Sequence, residues 1–166
     1  MSTTLLSARR AALYAVLAFA TVGAGQRAQA QSVADDPGIA VVVAAGTGSA
    51  PALSAAMVAQ IFRRKRQLWD DQSRIVPVNL PAFHPLRRNF SLWVLKRSPE
   101  DLRAYWDDRY FHGVLPPMVL ASEEAVLRFV ADTPGAVGYV SVCNVDKRVA
   151  VAAVIANPAG AANCPR

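Results

Sequence analysis

The stretch "IVPVNLPAFHPLRRNF", residues 75–90, joins an apolar run, a turn and the start of a helix. Its first four residues predict a strand, and Pro77 favours a sheet edge or a bulge because proline has no N–H to donate. Pro85 suits the first position of the following helix, where that N–H is not needed. Helix starts of this kind attract anions, because free backbone N–H groups and the helix dipole point at the ligand. The stretch therefore predicts a strand–turn–helix unit with the outline of an oxyanion site.

The segments around this unit alternate between strand-like and helix-like patterns. Continuous apolar runs typical of strands lie at 39–43, 118–121, 136–142 and 149–155. Start signals for helices are found at Ser54, at Pro85, at Ser98-Pro99-Glu100-Asp101 and at Ser122. The order β-α-β-α-α-β-α-β-β predicts an α/β sandwich, a mixed sheet flanked by helices that is parallel in part and antiparallel towards its end.

The first thirty residues have the pattern of a cleaved export signal. Arg9 and Arg10 precede a short apolar stretch, and Ala28-Gln29-Ala30 supplies the small residues of a cleavage site. We therefore predict a signal peptide over 1–30, a flexible leader over 31–38 and a single domain over 39–166, located in the periplasm or secreted. The general secretory route and the twin-arginine route both stay open. This apolar stretch is too short to span a bilayer and no other stretch approaches the roughly 20 apolar residues required, so no transmembrane segment is predicted.

The net charge bears on whether the protein binds nucleic acid. Loss of Arg9, Arg10 and Arg27 with the signal would reduce 18 basic residues to 15 against 12 acidic ones, and the net charge from +6 to +3. Much of the basic character belongs to the signal, which argues against a nucleic-acid partner.

The only cysteines, Cys143 and Cys164, form an even pair in a chain predicted to be exported. This favours a disulfide between them over two free buried thiols.

Residue patterns of catalysis are not found in the sequence. It has no nucleophile elbow, no histidine pair at metal-ligand spacing and no cysteine close to a histidine. We therefore predict no catalytic residue, no metal site and no cofactor, and expect a protein that is not an enzyme.

Three segments, in this order and spacing, resemble a known family. They are "LSAAMVAQIFRRKRQLW" (53–69), the unit at 75–90, and "VLASEEAVLRFVADTPGAVGYVS" (119–141). The third contains Pro134, Gly135, Gly138 and Tyr139 of a proline-glycine-alanine-hydrophobic-glycine-tyrosine signature. Together they resemble the second lobe of the periplasmic phosphate-binding proteins of ABC transporters, over about residues 39–141.

The resemblance implies a fold and two alternative functions. The fold is a single-lobe domain of the type II periplasmic-binding-protein kind, whereas a full binding protein closes two lobes around its ligand. One function is that of a solute-binding-like module related to phosphate transporter substrate-binding proteins, with weak binding of phosphate or another small oxyanion. The other is a periplasmic protein-interaction or accessory module that has lost ligand binding and contacts an envelope protein.

The helix start departs from the pattern of the family it resembles. Leu80, His84 and Leu86 stand where the phosphate binders have an arginine, a serine and a threonine. Phe83 and Pro85 stand where they have paired glycines. Leucine side chains donate no hydrogen bond and proline has no N–H, so the donors that surround phosphate in that family are largely replaced here.

Three residues at this helix start remain candidate anion ligands. Arg87 and Arg88 fall in the first helical turn, where the dipole disfavours cations unless an anion or a carboxylate lies close by. His84 could join them as a donor when it is protonated. The alternative is that both arginines are solvated or paired with surface acids.

A second cationic feature is the run Arg63, Arg64, Lys65 and Arg66 at the end of the first predicted helix. Cations at a helix C-terminus complement the dipole, and such a run is usually a solvated face. The alternative interpretation is a docking patch for an acidic partner or for anionic lipid.

Overall fold

The computed structural model describes residues 38–46, 51–157 and Cys164, and its elements follow in the predicted order. The strands are β1 (Ile39–Ala44), β2 (Val76–Asn79), β3 (Met118–Val119), β4 (Ala136–Ser141) and β5 (Val149–Ile155). The helices are α1 (Ala55–Phe62), α2 (Pro85–Trp93), α3 (Leu102–Phe111) and α4 (Glu123–Asp132), with a 3-10 turn at Val142–Asn144. The predicted signal peptide and leader fall outside the described residues, apart from Gly38, and the domain boundaries stay predictions.

The five strands form one mixed sheet in the order β3-β2-β4-β1-β5, which confirms the predicted fold class. Strand β2 runs parallel to β3 and β4, whereas β1 is antiparallel to β4 and β5. Pro77 pairs with Val137 of β4, and the pairing of β2 with β3 begins only at Val78. At Pro77, strand β2 is therefore paired with β4 but not with β3, although β2 is not an edge strand of the sheet.

Helices cover both faces of the sheet. Successive residues of β4 point to opposite sides, so neighbouring residues of this strand contact different helical layers. Gly138 lies under α4, where an added Cβ would be 2.5 Å from a methyl of Val126. Tyr139 points the other way and stacks on Phe90 of α2, with ring centroids 4.0 Å apart. Phe62 of α1 meets both rings edge-on. The signature glycine and tyrosine thus fix the packing of the two helical layers.

The loop after α1 is anchored at the turn before β4. The indole N–H of Trp69 donates to the Gly135 carbonyl at 3.1 Å, and the N–H of Val76 donates to the same oxygen at 3.0 Å. Gly135 itself has φ +74, a conformation that glycine adopts without strain. The turn and the loop are therefore held together at one carbonyl, and the nearby carbonyl oxygen of Arg74 leaves no room for a side chain at Gly135.

The start of α3 differs from the prediction at Ser98. The helix begins at Leu102, because residues 98–101 close a turn of their own. The Ser98 hydroxyl accepts the Asp101 N–H at 3.1 Å, and the Asp101 carboxylate accepts the Ser98 N–H at 3.3 Å. This reciprocal pair is the capping chemistry that the sequence signalled, formed one turn ahead of the helix.

The predicted disulfide joins Cys143, in the 3-10 turn after β4, to Cys164. The chain-entropy account predicts that opening this loop, with a sequence separation of 21, lowers the free energy of unfolding by about 3 kcal/mol. We expect the double variant Cys143→Ser/Cys164→Ser to unfold at a correspondingly lower urea concentration than the oxidised chain. Dithiothreitol should lower the midpoint of the parent chain and leave that of the variant unchanged; equal midpoints for the two oxidised proteins would contradict the prediction.

Candidate functional site

The start of α2 is partly closed by its own residues. His84 is the N-cap, and its Nδ1 accepts the Leu86 N–H at 3.2 Å. Pro85 occupies the first helical position and has no N–H to offer. The predicted strand–turn–helix unit is therefore present, but it presents fewer backbone donors to an anion than a glycine-rich start would.

Arg87 extends from this turn into the domain and is only 8% exposed. Its guanidinium donates to Oδ1 of Asn79 at the end of β2, and the Tyr139 hydroxyl donates to the same oxygen at 2.9 Å. Burial raises the pKa of Tyr139, so its hydroxyl stays protonated and available as a donor. Arg87 thus links α2 to the end of β2 and, through the shared oxygen of Asn79, to Tyr139 of β4.

Arg88 lies on the surface beside the turn that precedes α3. Its Nη1 is 3.2 Å from a carboxylate oxygen of Glu100, and both side chains are more than half exposed. Exposed pairs of this kind contribute little to stability and are screened by salt. The structure thus places His84, Arg87 and Arg88 together in one turn, each with a different intramolecular contact, and their role as anion ligands stays a prediction.

The run Arg63, Arg64, Lys65 and Arg66 does not form one continuous patch. Arg63 donates to the Leu95 carbonyl at 2.7 Å, and Arg66 pairs with Asp70. Arg64 has φ +58, a left-handed conformation that turns the chain sharply after α1. Consequently Arg64 lines one depression of the surface, whereas Arg63 and Lys65 line another.

The first depression, here called the arginine groove, has a volume of about 440 Å³. Its lining is mostly apolar and comprises Ile75, Val76, Pro77, Leu115, Pro116, Pro117, Met118 and Phe129, together with Arg64 and Arg74. Burial and then the charge of Arg74 lower the pKa of Arg64. Within the described part of the chain, the buried Nε of Arg64 has no hydrogen-bond partner. The groove therefore combines apolar surface with two adjacent cations.

The second depression, here called the cationic recess, has a volume of about 190 Å³. It lies between the end of α1, the α2–α3 connection and α3, and is lined by Arg63, Lys65, Arg97, Leu102 and Tyr105. Sequence reasoning identified Arg63 and Lys65 but missed Arg97, because no local pattern brings it to the end of α1.

Among the described residues, the most extensive ion-pair network joins α4 to the loop before β5. Glu124 lies 2.8 Å from both Arg128 and Arg148, and Arg148 also contacts Asp146 at 2.6 Å. Hydrogen bonds from Arg148 and then from Arg128 lower the pKa of Glu124 to about 2. This side chain is therefore ionised in the folded protein well below the pH at which it protonates in the unfolded chain.

A pH dependence of stability follows from this lowered pKa. The stabilisation by Glu124 is complete above about pH 4.5, its unperturbed value, and is lost as the pH falls towards about 2. We expect the melting temperature of the parent chain to fall more steeply over this interval than that of Glu124→Gln, at low salt. Thermal unfolding followed by circular dichroism at successive pH values measures the difference. Identical slopes for the two proteins would contradict the assignment, and Asp132→Asn is a charge-matched control on the same helix.

Residues 38–46, 51–157 and Cys164 contain neither a metal-binding cluster nor a membrane-spanning helix. No group of histidine, cysteine, aspartate and glutamate side chains there could hold a metal ion. No helix in the same residues has the length and apolarity needed to cross a membrane.

Comparison with known proteins identifies the fold. No protein-family model matches the chain, and neither does any curated protein. Among solved structures, an ABC-type phosphate transport receptor from Vibrio cholerae superposes with a TM-score of 0.55 and 21% identity, over 69% of this chain and 44% of that one. A phosphate-bound chain from Clostridium perfringens, assigned as a phosphate ABC transporter substrate-binding protein, superposes with a TM-score of 0.56 and 19% identity. The match covers 69% of this chain and 43% of that one. PstS from Borrelia burgdorferi superposes with a TM-score of 0.52 and 12% identity, over 72% of this chain and 46% of that one.

These similarities confirm the predicted resemblance at the level of fold. The chain spans less than half the length of each of the three proteins, as one lobe of a two-lobed binding protein would. Identities this low concern the architecture alone and say nothing of the ligand.

Proposed function

We propose that this chain, which has the fold of one lobe of the phosphate-binding proteins, is an exported, non-enzymatic binding module that acts by contacting another protein of the envelope. The arginine groove is the observation that carries this proposal. Arg64 and Arg74 stand side by side in it, and neither takes part in an ion pair with a carboxylate of the described residues. A carboxylate of a partner would offset the mutual repulsion of these two cations and the partial burial of Arg64.

The apolar part of the groove favours a polypeptide over a small ligand. Leu115 and Met118 are 61% and 47% exposed, although aliphatic side chains of this size are usually buried. Met118 also belongs to β3, the last strand on its side of the sheet, whose outer edge pairs with no described strand. An extended segment with an acidic residue among apolar ones would match both features, since strand edges and grooves are common sites of peptide docking.

A photo-crosslinking experiment tests this function. A benzoylphenylalanine introduced at Met118 of the full chain, expressed in its own cells, should trap one defined envelope protein. Arg74→Glu should abolish that product, because it reverses a charge in the groove, whereas Arg103→Glu reverses the charge of another exposed arginine and should leave it unchanged. A product that persists with Arg74→Glu, or no product at all, would refute the assignment of the groove.

A second candidate function is weak binding of phosphate or another small oxyanion at His84, Arg87 and Arg88. The exposed pair between Arg88 and Glu100 favours it, because a divalent anion could displace a carboxylate held so weakly. Calorimetric titration with phosphate should then give a saturable heat component that Arg88→Ala removes. If the heat of Arg88→Ala matches that of the parent chain, this turn is not the site.

A further inference from the structure

We propose that the cationic recess is a binding site for a small inorganic oxyanion such as phosphate or sulfate. This inference is independent of the protein-interaction function and of the turn at α2, because it concerns a different surface and different residues. It rests on three cationic side chains, those of Arg63, Lys65 and Arg97, which line one depression without an acidic counterpart in its lining.

The three cations of the recess have no acidic partner in the described part of the chain, although they lie around one small space. None of the three takes part in an ion pair within the described residues, whereas Arg66, Arg88, Arg128 and Arg148 all do. The structure also shows no hydrogen bond from the side chain of Lys65 or Arg97 to any described residue. Like charges around one small space repel each other, and a bound anion would convert that repulsion into attraction.

The wall of the recess is held in place before any ligand arrives. One guanidinium nitrogen of Arg63 donates to the Leu95 carbonyl at 2.7 Å, and the Tyr105 hydroxyl donates to the Arg63 carbonyl at 2.8 Å. These two bonds tie the end of α1 to the α2–α3 connection and to α3. A guanidinium has five N–H donors, so this anchoring leaves others to meet an oxyanion. An arginine fixed in this way loses less conformational entropy on binding than a freely rotating one.

The size of the recess selects the class of ligand. Its 190 Å³ correspond to about six water molecules at roughly 30 Å³ each. That space accommodates a tetrahedral oxyanion with part of its hydration shell, and it is smaller than the pockets of about 300 Å³ or more that hold larger organic ligands. Leu102 and Tyr105 supply the apolar part of the lining.

The experiment is a titration of the isotope-labelled full chain with inorganic phosphate and with sulfate at low ionic strength, followed by amide chemical shifts. We expect saturable shifts centred on Lys65, Arg97 and Tyr105, with no comparable response to chloride at equal ionic strength. The variant Lys65→Gln/Arg97→Gln should weaken binding by about tenfold or more, as expected for the loss of two charge-assisted contacts. Because the side chains of Lys65 and Arg97 have no hydrogen-bond or ion-pair partner within 38–46, 51–157 and Cys164, this variant should keep the stability of the parent chain.

A matched variant separates the recess from the α2 turn and from general charge. Arg88→Gln/Arg103→Gln removes two exposed cations outside the recess and should leave the recess affinity within about twofold, as expected for screened surface charges. Three results would overturn the proposal: the absence of saturable shifts, equal weakening by both variants, or loss of binding only in Arg88→Gln/Arg103→Gln. The last result would assign the anion to the α2 turn instead.

Discussion

The variant Gly135→Ala is expected to have a much lower free energy of unfolding than the parent chain. Gly135 has φ +74, where a non-glycine residue is strained by about 1–2 kcal/mol. An added Cβ would also overlap the carbonyl oxygen of Arg74, a backbone atom that cannot rotate away. Together these effects should cost more than about 3 kcal/mol, a large part of the 5–15 kcal/mol that stabilises a typical domain.

The chain contains a matched control for this prediction. Gly113 has φ +73, almost the same conformation, but an added Cβ there meets no atom within 4 Å. Gly113→Ala should therefore lose only the conformational part, about 1–2 kcal/mol. Urea denaturation of both variants, followed by circular dichroism, isolates the steric part as their difference. Equal losses would show that the contact with Arg74 relaxes at little cost.

The second large effect is expected for Phe90→Ala. Phe90 is completely buried, stacks on Tyr139 and meets Phe62 edge-on with ring centroids 4.7 Å apart. Removal of a buried phenylalanine ring typically costs 3–5 kcal/mol, and loss of the aromatic contacts adds about 0.5–1.5 kcal/mol. We expect a decrease of about 4 kcal/mol in the free energy of unfolding, measured by urea denaturation.

Phe83, in the loop before α2, is the control for this substitution. It is 84% exposed, so Phe83→Ala should change the free energy of unfolding by no more than about 0.5 kcal/mol. Phe90→Leu, which keeps most of the volume, should fall between the two. If Phe90→Ala were as stable as Phe83→Ala, the stack against Tyr139 would not be the centre of the core.

Element types and their order could be predicted because their signals are local. The run at 39–43 became a strand buried on both faces, and Ser54, Pro85 and Ser122 start helices as their capping chemistry predicts. The start of α3 was predicted three residues early, with Ser98 as the cap where the structure has Asp101, because sequence alone does not show whether a capping pair closes a separate turn or the first turn of a helix. Export, cleavage and the domain limits concern residues that the structure does not describe, and they stay predictions.

The candidate sites could be predicted only in part, because their residues meet through tertiary contacts. The α2 turn was identified from residues adjacent in sequence, but the bond between Arg87 and Asn79 depends on how the helix packs against the end of β2. The run at Arg63–Arg66 was visible, whereas its division between two depressions follows from the left-handed conformation of Arg64. Arg74 and Arg97 carried no pattern of their own, since each is defined by what lies beside it in space.

The position of β1 has a consequence for the timing of folding. This strand, the first of the described part of the chain, lies between β4 and β5, the last two strands described, and pairs along its length with both. While the ribosome is still making the middle of the chain, Ile39–Ala44 has no neighbour in the sheet, and its unsatisfied apolar surface is a target for chaperones. The barrier to folding therefore includes closing the long loop between β1 and β4, which favours slow folding after synthesis over stepwise folding during it.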